Sequence, residues 1–366
     1  MRSDLKSFTE LHYLNLLSVP VVAILLPSRY SNSVLKEDDV LRPRIAFIGT
    51  GGTIASIGSD PFDLLDYNAS GARVDAREIL ERTGLQDAVA DIVPVDFRQI
   101  DSTAISLTDW ADLADLCCEL ASDSTLAGIV VGHGTASLEE TAWLLSLILD
   151  LQVPVVVTGS MRPLTGISSD AGANLAAAVR VAATRTGGGV FVVMNDEVHC
   201  PRAVTKSHTL RLNAFQSPWQ GPIGTVDGPT VTFARLEPHR PALLFPRDLL
   251  RRLPRVDITY SYVGADGCAI RAFAEGGAKG IVSAGFGPGL GSPAETAALA
   301  DAVSAGIIVV QSSRTGAGQV VDSARHQSLG IIAGNDLSPQ KARILLALCL
   351  ARGDSPRSIE SVFQSA

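Results

Sequence analysis

The chain has 366 residues, of which 46% are hydrophobic and 19% charged, a composition that is typical of a soluble globular protein and excludes a disordered one. The formal net charge of −8 offers no attraction for nucleic acid, so no nucleic-acid partner is expected. Five cysteines lack any CxxC spacing. They predict neither a disulfide framework nor a zinc site, and we interpret them as small buried hydrophobic residues.

Residues 1–43 are predicted to form an N-terminal extension or a signal-like segment. Residues 14–26 are apolar enough for the core of a signal peptide, but Pro20 and the acidic residues Asp4 and Glu10 do not fit one. The prediction is therefore a cytoplasmic protein, or a periplasmic or secreted one if residues 14–26 are a signal peptide core. No later stretch is apolar for long enough to span a bilayer, so no membrane partner is expected.

An alternation of strand and helix patterns runs through residues 44–229, which predicts an N-terminal α/β domain. Its apolar runs are continuous and rich in Val and Ile, as in buried parallel strands with helices on both faces of the sheet. The predicted strands are residues 45–48, 129–131, 153–157 and 190–194, and the clearest helices are 138–151 and 172–183.

Residues 218–254 contain Pro, Gly, Thr and a run of Arg with little helical periodicity, and residues 230–254 are predicted to be a linker. The alternation then resumes over residues 255–366, which predicts a second, smaller α/β domain. Its predicted strands are residues 256–262, 280–284, 307–310 and 331–333, followed by a last helix over 340–351.

Small polar residues follow each predicted strand of the first domain, at residues 49–50, 132–135, 158–160 and 195–196. Ligands of parallel sheets bind at the carboxyl ends of the strands, so we expect these residues to converge on one crevice.

The first of these strand ends carries the sequence TGGTIA at residues 50–55. A Gly-Gly turn exposes backbone amides, and the hydroxyl of Thr53 can act as a nucleophile if a nearby group takes its proton. The stretch is not a phosphate loop because no Gly-Lys-Ser/Thr follows it. The dinucleotide fingerprint fails because Ile54 stands where Gly or Ala is needed.

The second strand end carries GHGT at residues 132–135, followed by the start of a helix. Ser137 and Glu140 have the spacing of a capping box, so Ser137 is predicted to be a helix cap and not a catalyst. His133 has no partner at metal-ligand spacing and is predicted to be structural. Thr135 is expected to face the crevice.

Lys206 follows the fourth strand after a loop. It is either a solvated surface charge or a buried base whose pKa is lowered beside a Thr hydroxyl, and the spacing alone does not decide between them.

A series of short motifs, in order from about residue 44 to the end, resembles the bacterial-type L-asparaginase/glutaminase family. They are TGGTIA at 50–55, HGTxxxEET at 133–141, TGSMRP at 158–163, MND at 194–196, VTK at 204–206, FQSP at 215–218 and PQKAR at 339–343. The resemblance implies a two-domain asparaginase-like α/β fold, with a larger N-terminal parallel-sheet domain and a smaller C-terminal α/β domain. It also implies a homotetramer of close dimers, with active sites at the intra-dimer interface.

The same resemblance implies hydrolysis of a small-molecule amide through a threonine acyl-enzyme, with no metal or organic cofactor. By position, Thr53 would be the nucleophile and Tyr67, on a mobile flap over residues 56–73, would help to activate it. Thr135 and Lys206 would handle protons. The positions that match substrate-binding motifs are Gly52, Ser102 (for the substrate carboxylate), Thr103, Gly134, Ala136 and Ser160.

The chain departs from the family where a substrate α-ammonium group would bind. Ala136 stands where the family has an Asp that pairs with the Lys and binds the ammonium, and Thr103 stands in place of a Gln. Ser323 and Leu290 occupy positions where the partner subunit usually supplies a Glu and an Asn. Desolvating an ammonium group without a partner costs roughly several kcal/mol, so free L-asparagine should bind poorly.

The predicted substrate is therefore an amide without a free α-amino group, such as a succinamate-like monoamide, an N-substituted asparagine or a cyclic amide. Two alternatives remain open. One is an ordinary L-asparaginase in which another acid, such as Asp196 or Glu197, replaces the missing Asp. The other is a non-catalytic homologue that binds a small amide or acid.

Overall fold

A computed structural model of the protein describes residues 22–25, 42–67, 69, 71–86, 90–184, 187–235 and 244–366. Most of the predicted extension, including most of the signal-like stretch, lies outside the described residues. Within it, strand β1 (Val22–Leu25) pairs antiparallel with strand β11 (Thr230–Phe233). None of the helices in the described ranges is long and apolar enough to cross a membrane.

The larger domain is built on a nine-stranded sheet with the strand order β1-β11-β10-β7-β6-β5-β4-β2-β3. The pairs among β2, β3, β4, β5 and β6 are parallel, which confirms the predicted parallel arrangement for this half of the sheet. The remaining strands of the sheet are β2 (Arg44–Gly49), β3 (Asp91–Asp96), β4 (Leu126–Gly132), β5 (Val155–Thr158), β6 (Val190–Met194), β7 (Glu197–His199) and β10 (Gly224–Asp227).

The other half of this sheet is antiparallel, which the sequence analysis did not predict. The direction changes after β6, where Asn195 and Asp196 form a two-residue turn in which both φ angles are positive (52° and 61°). Such turns match the twist of a β-hairpin and return the chain antiparallel. Strand β3 was also missed; Pro94 within it is tolerated because β3 lies at the sheet edge.

Helices cover the sheet and bury its apolar faces in two clusters of core side chains. Alternate residues of β2 divide between these clusters: Ala46 and Ile48 pack on one face, and Ile45 and Phe47 on the other. The helices of this domain are α1 (Ala76–Thr83), α2 (Leu107–Leu120), α3 (Leu138–Ile148) and α4 (Ala171–Ala182). A two-stranded ribbon, β8 (Thr205–Lys206) and β9 (Phe215–Gln216), lies apart from the main sheet.

The smaller domain has a four-stranded parallel sheet in the order β12-β13-β14-β15, as predicted for a second α/β unit. Its elements are β12 (Val256–Tyr260), α5 (Cys268–Glu275), β13 (Gly280–Gly285), α6 (Pro293–Ser304), β14 (Ile308–Ser313), α7 (Ala324–Leu329), β15 (Ile332–Ala333), α8 (Pro339–Arg352) and α9 (Pro356–Ser365).

The segment predicted as a linker, residues 230–254, is only partly a connection. Its first residues form β11 of the large sheet, and Arg247–Arg252 forms a 3-10 helix that packs against α2. Helix α8 of the smaller domain packs against α3 of the larger one, and Trp143 Nε1 donates a hydrogen bond to the Lys341 carbonyl (3.1 Å). The two domains therefore share one continuous core.

The cysteines follow the sequence interpretation only in part. Cys117, Cys200 and Cys349 are buried, as predicted, whereas Cys118 is half-buried and Cys268 is exposed. Cys268 is the first residue of α5, which packs Ile270, Phe273 and Ala274 against the core, and Cys268 itself lies on the side open to solvent.

Candidate active site

Glycine is required at both positions of the bend after β2, because of the backbone conformation there and because there is no space for a side chain. Gly51 and Gly52 have φ angles of 94° and 75°, in the left-handed region that favours glycine. A Cβ atom on Gly52 would lie 2.2 Å from the Cα of Gly134. A Cβ atom on Gly134 would in turn lie 2.6 Å from the Ser102 hydroxyl oxygen. The bend, the loop after β4 and the loop that carries Ser102 therefore converge, as the sequence predicts for one crevice.

Thr53 follows this bend as the first residue of a short 3-10 helix (Thr53–Ala55). Its side chain is 9% exposed, and its Oγ1 atom lies 3.0 Å from the Tyr67 hydroxyl oxygen, with either oxygen able to donate. The structure thus brings together the two residues that the sequence predicted as nucleophile and activating group.

The flap that carries Tyr67 is tied down at its base. Ser56 and Arg73 form an antiparallel bridge, and the Arg73 guanidinium pairs with Asp101, the neighbour of Ser102. Within the flap, the Gly58 N–H donates a hydrogen bond to Thr165 Oγ1 (2.9 Å). These contacts hold the flap in the position where Tyr67 contacts Thr53.

Ser102 lies beside the start of α3. Its hydroxyl oxygen accepts a hydrogen bond from the Ala136 N–H (3.2 Å), and its carbonyl accepts one from the Ser137 hydroxyl (2.6 Å). The predicted capping box of Ser137 and Glu140 is therefore wrong. Ser137 has φ −125° and ψ 14°, outside the extended conformation of a usual N-cap, and its side chain binds the neighbouring loop instead.

Lys206 is half-buried and donates a hydrogen bond from Nζ to Thr135 Oγ1 (2.9 Å). Thr135 itself is only 6% exposed. Desolvation lowers the pKa of Lys206, and the negative charge of Glu139 partly opposes that shift. Of the two readings that the sequence left open, the structure supports the buried lysine beside a threonine hydroxyl and not the solvated surface charge.

The acids suggested as replacements for the missing Asp lie elsewhere. The Glu197 carboxylate is 3.4 Å from His199 Nε2, and the charge of Asp196 acts on Arg180. Among the described residues it is Glu139 whose charge acts on Lys206. Sequence reasoning missed a role for Glu139; the available signal was its place in the first turn of α3, four residues after the end of the GHGT motif.

His133 is fully buried and has a structural environment, as predicted. Its Nδ1 lies 2.8 Å from the Gly134 carbonyl, and its Nε2 lies 3.0 Å from Thr141 Oγ1, which also accepts from Trp110 Nε1 (2.8 Å). Burial lowers the pKa of His133 to about 4, so the ring is neutral at pH 7. In the part of the chain that the structure describes, no group of three His, Cys, Asp or Glu residues is arranged to hold a metal ion.

Comparison with known proteins agrees with this geometry. The family model for the N-terminal asparaginase domain matches residues 44–238, and the model for the C-terminal domain of glutaminases and asparaginases matches residues 255–363. The chain belongs to the asparaginase family. It is a member of the asparaginase-type amidohydrolases, as the sequence motifs predicted.

Relatives of this asparaginase-family chain share about a third of its residues. L-asparaginase 2 of Bacillus subtilis is 36% identical over 88% of this chain and 86% of its own length. A glutaminase-asparaginase of Pseudomonas fluorescens is 33% identical over 99% of both chains. The crystal structure of a probable cytoplasmic L-asparaginase from Campylobacter jejuni superposes with a TM-score of 0.82 at 36% identity, covering 88% of this chain and 99% of that one.

Several predicted substrate-binding positions of this asparaginase-family member surround the bend, but not all offer a side-chain group. Ala136 and Thr103 are exposed beside Ser102. Ser160 is fully buried and donates its hydroxyl to the Arg162 carbonyl (2.6 Å), so its side chain binds its own loop. Ser323 caps α7 by accepting from the His326 N–H (3.2 Å).

Proposed function

We propose that this protein hydrolyses a small amide by using Thr53 as the nucleophile. Thr53 Oγ1 attacks the amide carbonyl carbon, the C–N bond breaks with release of ammonia, and water then hydrolyses the ester formed on Thr53. The observation that carries this proposal is the contact of 3.0 Å between Thr53 Oγ1 and Tyr67 Oη at the Gly-Gly bend. A hydroxyl held beside a strand end and hydrogen-bonded to a second hydroxyl has a route by which its proton can leave as it attacks, which nucleophilic catalysis requires.

Proton transfer in this proposal is divided between two pairs of residues. As the Oγ1–carbon bond forms, the proton of Thr53 passes to the Tyr67 oxygen while the Tyr67 hydroxyl proton passes on to the amide nitrogen, which leaves as ammonia. In the second half of the reaction the Thr135–Lys206 pair, joined at 2.9 Å, takes a proton from the attacking water and returns it to Thr53 Oγ1 as the ester bond breaks. Burial favours the neutral amine of Lys206, which is the form that can accept a proton.

We further propose that the substrate lacks a free α-amino group. The motif position that would hold a carboxylate is Ala136, and Thr103 beside it carries no charge. Ser102 remains next to Ala136, where its hydroxyl can bind a substrate carboxylate. Succinamate and N-acylated asparagine have that carboxylate and an amide, without the cation.

A second candidate is an ordinary L-asparaginase. It is favoured by the names of the relatives, which include L-asparaginase 2 of Bacillus subtilis, and by Glu139, whose negative charge lies near Lys206.

A comparison of substrates separates these candidates. We expect kcat/KM for succinamate and for N-acetyl-asparagine to exceed that for L-asparagine, and we expect Ala136→Asp to reverse this order. A hydrogen bond to a charged group is worth about 1.5–3 kcal/mol, so the expected discrimination is about 10- to 10²-fold. Efficient turnover of L-asparagine by the unaltered protein would refute the altered specificity and support the second candidate.

Trapping the intermediate tests the nucleophile. After rapid quenching with the preferred amide, mass spectrometry should find the acyl group on the peptide that contains Thr53, and Thr53→Ala should abolish it. Tight binding of the amide without any adduct or ammonia release would instead identify a non-catalytic homologue.

We also propose that the protein forms a homotetramer of close dimers. Large apolar side chains of the smaller domain are exposed at the carboxyl ends of its strands, where a second copy would cover them; they are Tyr260 (58%), Tyr262 (57%), Val263 (93%), Leu290 (41%) and Val321 (67%). Light scattering after gel filtration should give four times the chain mass of 38.3 kDa, and a monomer would refute the assembly. The compartment, cytoplasmic or, with a signal peptide, periplasmic or secreted, remains a prediction.

A further inference from the structure

The Glu139 carboxylate is buried between the two domains in an unusual state. The residue is 8% exposed, and its Oε1 accepts a hydrogen bond from Gln340 Nε2 of helix α8 (2.9 Å). Its Oε2 is also buried and has no hydrogen-bond partner among the described residues. Leaving a buried carboxylate oxygen without a partner is costly, so such an oxygen in a native fold calls for a reason.

Glu139 lies four residues after Thr135, the hydrogen-bond partner of Lys206, and its own partner Gln340 is the neighbour of Lys341. The charge of Glu139 acts on Lys206, which binds Thr135, and also on Lys341. Lys341 is 1% exposed, and burial lowers its pKa to about 8. The charges of Cys200 and Asp336 raise the pKa of Lys341 and that of Arg202 lowers it, so groups other than Glu139 partly balance the positive charge of Lys341. Lys206 has no comparable second acid in the described part of the chain.

Lys341 also fixes the strand that carries Lys206. Its Nζ donates to the carbonyl of Arg202 (3.0 Å) and to the carbonyl of Val204, two residues before Lys206. Because Gln340 holds Glu139 and Lys341 holds the approach to Lys206, consecutive residues of α8 place the acid and the base relative to each other.

We propose that Glu139 is a positioning residue that supplies the negative charge for Lys206 that Ala136 cannot provide. The inference rests on the proposed function, in which Lys206 accepts a proton from water activated at Thr135. When Lys206 becomes an ammonium ion in this half-buried place, Glu139 stabilises it without taking the proton. No donor among the described residues hydrogen-bonds to Oε2, so no local dipole offsets the charge of that oxygen.

Glu140 provides a matched control on the same helix. It is half-buried, and desolvation raises its pKa, but its charged neighbours are Arg343, Glu139 and Lys341 and not Lys206. The same Glu→Gln change at position 140 therefore removes a carboxylate next door without removing the charge that acts on Lys206.

The test measures the titration of Lys206 directly. The sequence has five lysines, so reductive methylation with ¹³C-formaldehyde gives a simple methyl NMR spectrum, in which loss of a signal in Lys206→Gln assigns that residue. Removing a nearby opposite charge lowers a lysine pKa, so Glu139→Gln should lower that of Lys206 by about 0.5–1 unit, whereas Glu140→Gln should leave it unchanged. Equal titration of Lys206 in the unaltered protein and in Glu139→Gln overturns the proposal.

Kinetics give the second readout. In Glu139→Gln, kcat for the preferred amide should fall about tenfold with KM within twofold, and the acidic limb of the kcat profile should move to lower pH. Glu139→Gln keeps a side-chain oxygen that can accept the hydrogen bond from Gln340. Glu139→Asp keeps the negative charge and should leave the titration of Lys206 unaltered, and it is the test variant if Glu139→Gln does not fold. A protein that is inactive on every amide, yet shows the Lys206 shift, would refute the proposed function and not the charge compensation.

A second background tests compensation itself. In Ala136→Asp, a carboxylate returns beside Thr135, so the further change Glu139→Gln should lower the Lys206 pKa and kcat by less than half as much as it does alone. Equal effects in both backgrounds would show that Glu139 acts independently of the missing Asp and would overturn the proposal.

Discussion

Gly52→Ala is the sharpest test of how the site is assembled. The residue adopts φ 75° and ψ −168°, a region that essentially only glycine occupies and that costs another residue about 1–3 kcal/mol. The added methyl group would also lie 2.2 Å from the Gly134 Cα and 2.5 Å from its backbone nitrogen. Backbone cannot swing aside as a side chain can, so overpacking adds about 1–3 kcal/mol. We expect Gly52→Ala to lower the free energy of unfolding by about 2–6 kcal/mol.

The same change should impair catalysis, because the two loops must separate and carry Thr53 away from Tyr67. A displacement approaching 1 Å costs on the order of 10²-fold in kcat. The control is Gly84→Ala, at a helix end with φ 69° and nothing within 4 Å of the added methyl. Its ψ of 23° places it in the αL region, so the change carries a conformational cost of about 1–2 kcal/mol without a close contact and should leave kcat unchanged. Denaturant unfolding and steady-state kinetics of both variants decide the matter, and equal losses of stability in the two would refute the close approach of the loops.

Further predictions concern the flap, a buried histidine and a thiol. Tyr67→Phe should lower kcat by about 10²-fold with little change in KM, since it removes one hydroxyl in proton transfer; an unchanged kcat would exclude Tyr67 from that role. The pKa of His133 falls from its ordinary 6.5 to about 4 in the fold, so the unfolded chain binds the proton more tightly. The stability that His133 contributes is therefore present above pH 6.5 and lost as pH falls toward 4, by up to about 3 kcal/mol. Denaturant unfolding at pH 7 and 4.5 should show a smaller difference in His133→Asn than in the unaltered protein. Ellman's reagent should modify the exposed Cys268 rapidly and the buried Cys117 and Cys349 only on unfolding; protection of Cys268 would place it in an interface.

The parallel part of the fold could be predicted from the sequence because its strands are buried on both faces. Such strands read as continuous runs of Val and Ile, as in β4 and β6, whatever their neighbours are. The convergence of the loops that carry Thr53 and Thr135 followed from the rule that parallel strands end at the same edge, whereas Ser102 was expected there only from the family resemblance. The antiparallel half depended on Asn195 and Asp196 adopting positive φ, which residue type permits but does not require.

The polar contacts were harder to predict, since they depend on distances between segments far apart in sequence. Ser137 has the spacing of a helix cap, yet it binds the carbonyl of Ser102, thirty-five positions earlier. Glu139 contacts Gln340 from the other domain, and no local pattern indicates which of two adjacent glutamates turns inward. Local spacing predicts hydrogen bonds only when no other loop offers a better partner.

The contacts of helix α8 also determine when, during synthesis, the groups around Lys206 are held in place. Thr53, Thr135 and Lys206 leave the ribosome well before Gln340 and Lys341, which orient the groups around Lys206. A nascent chain that has folded its first domain therefore still lacks the two side chains that hold this region in place. If Thr53 and Lys206 act as proposed, activity is expected only once helix α8 has been synthesised and has packed against the first domain.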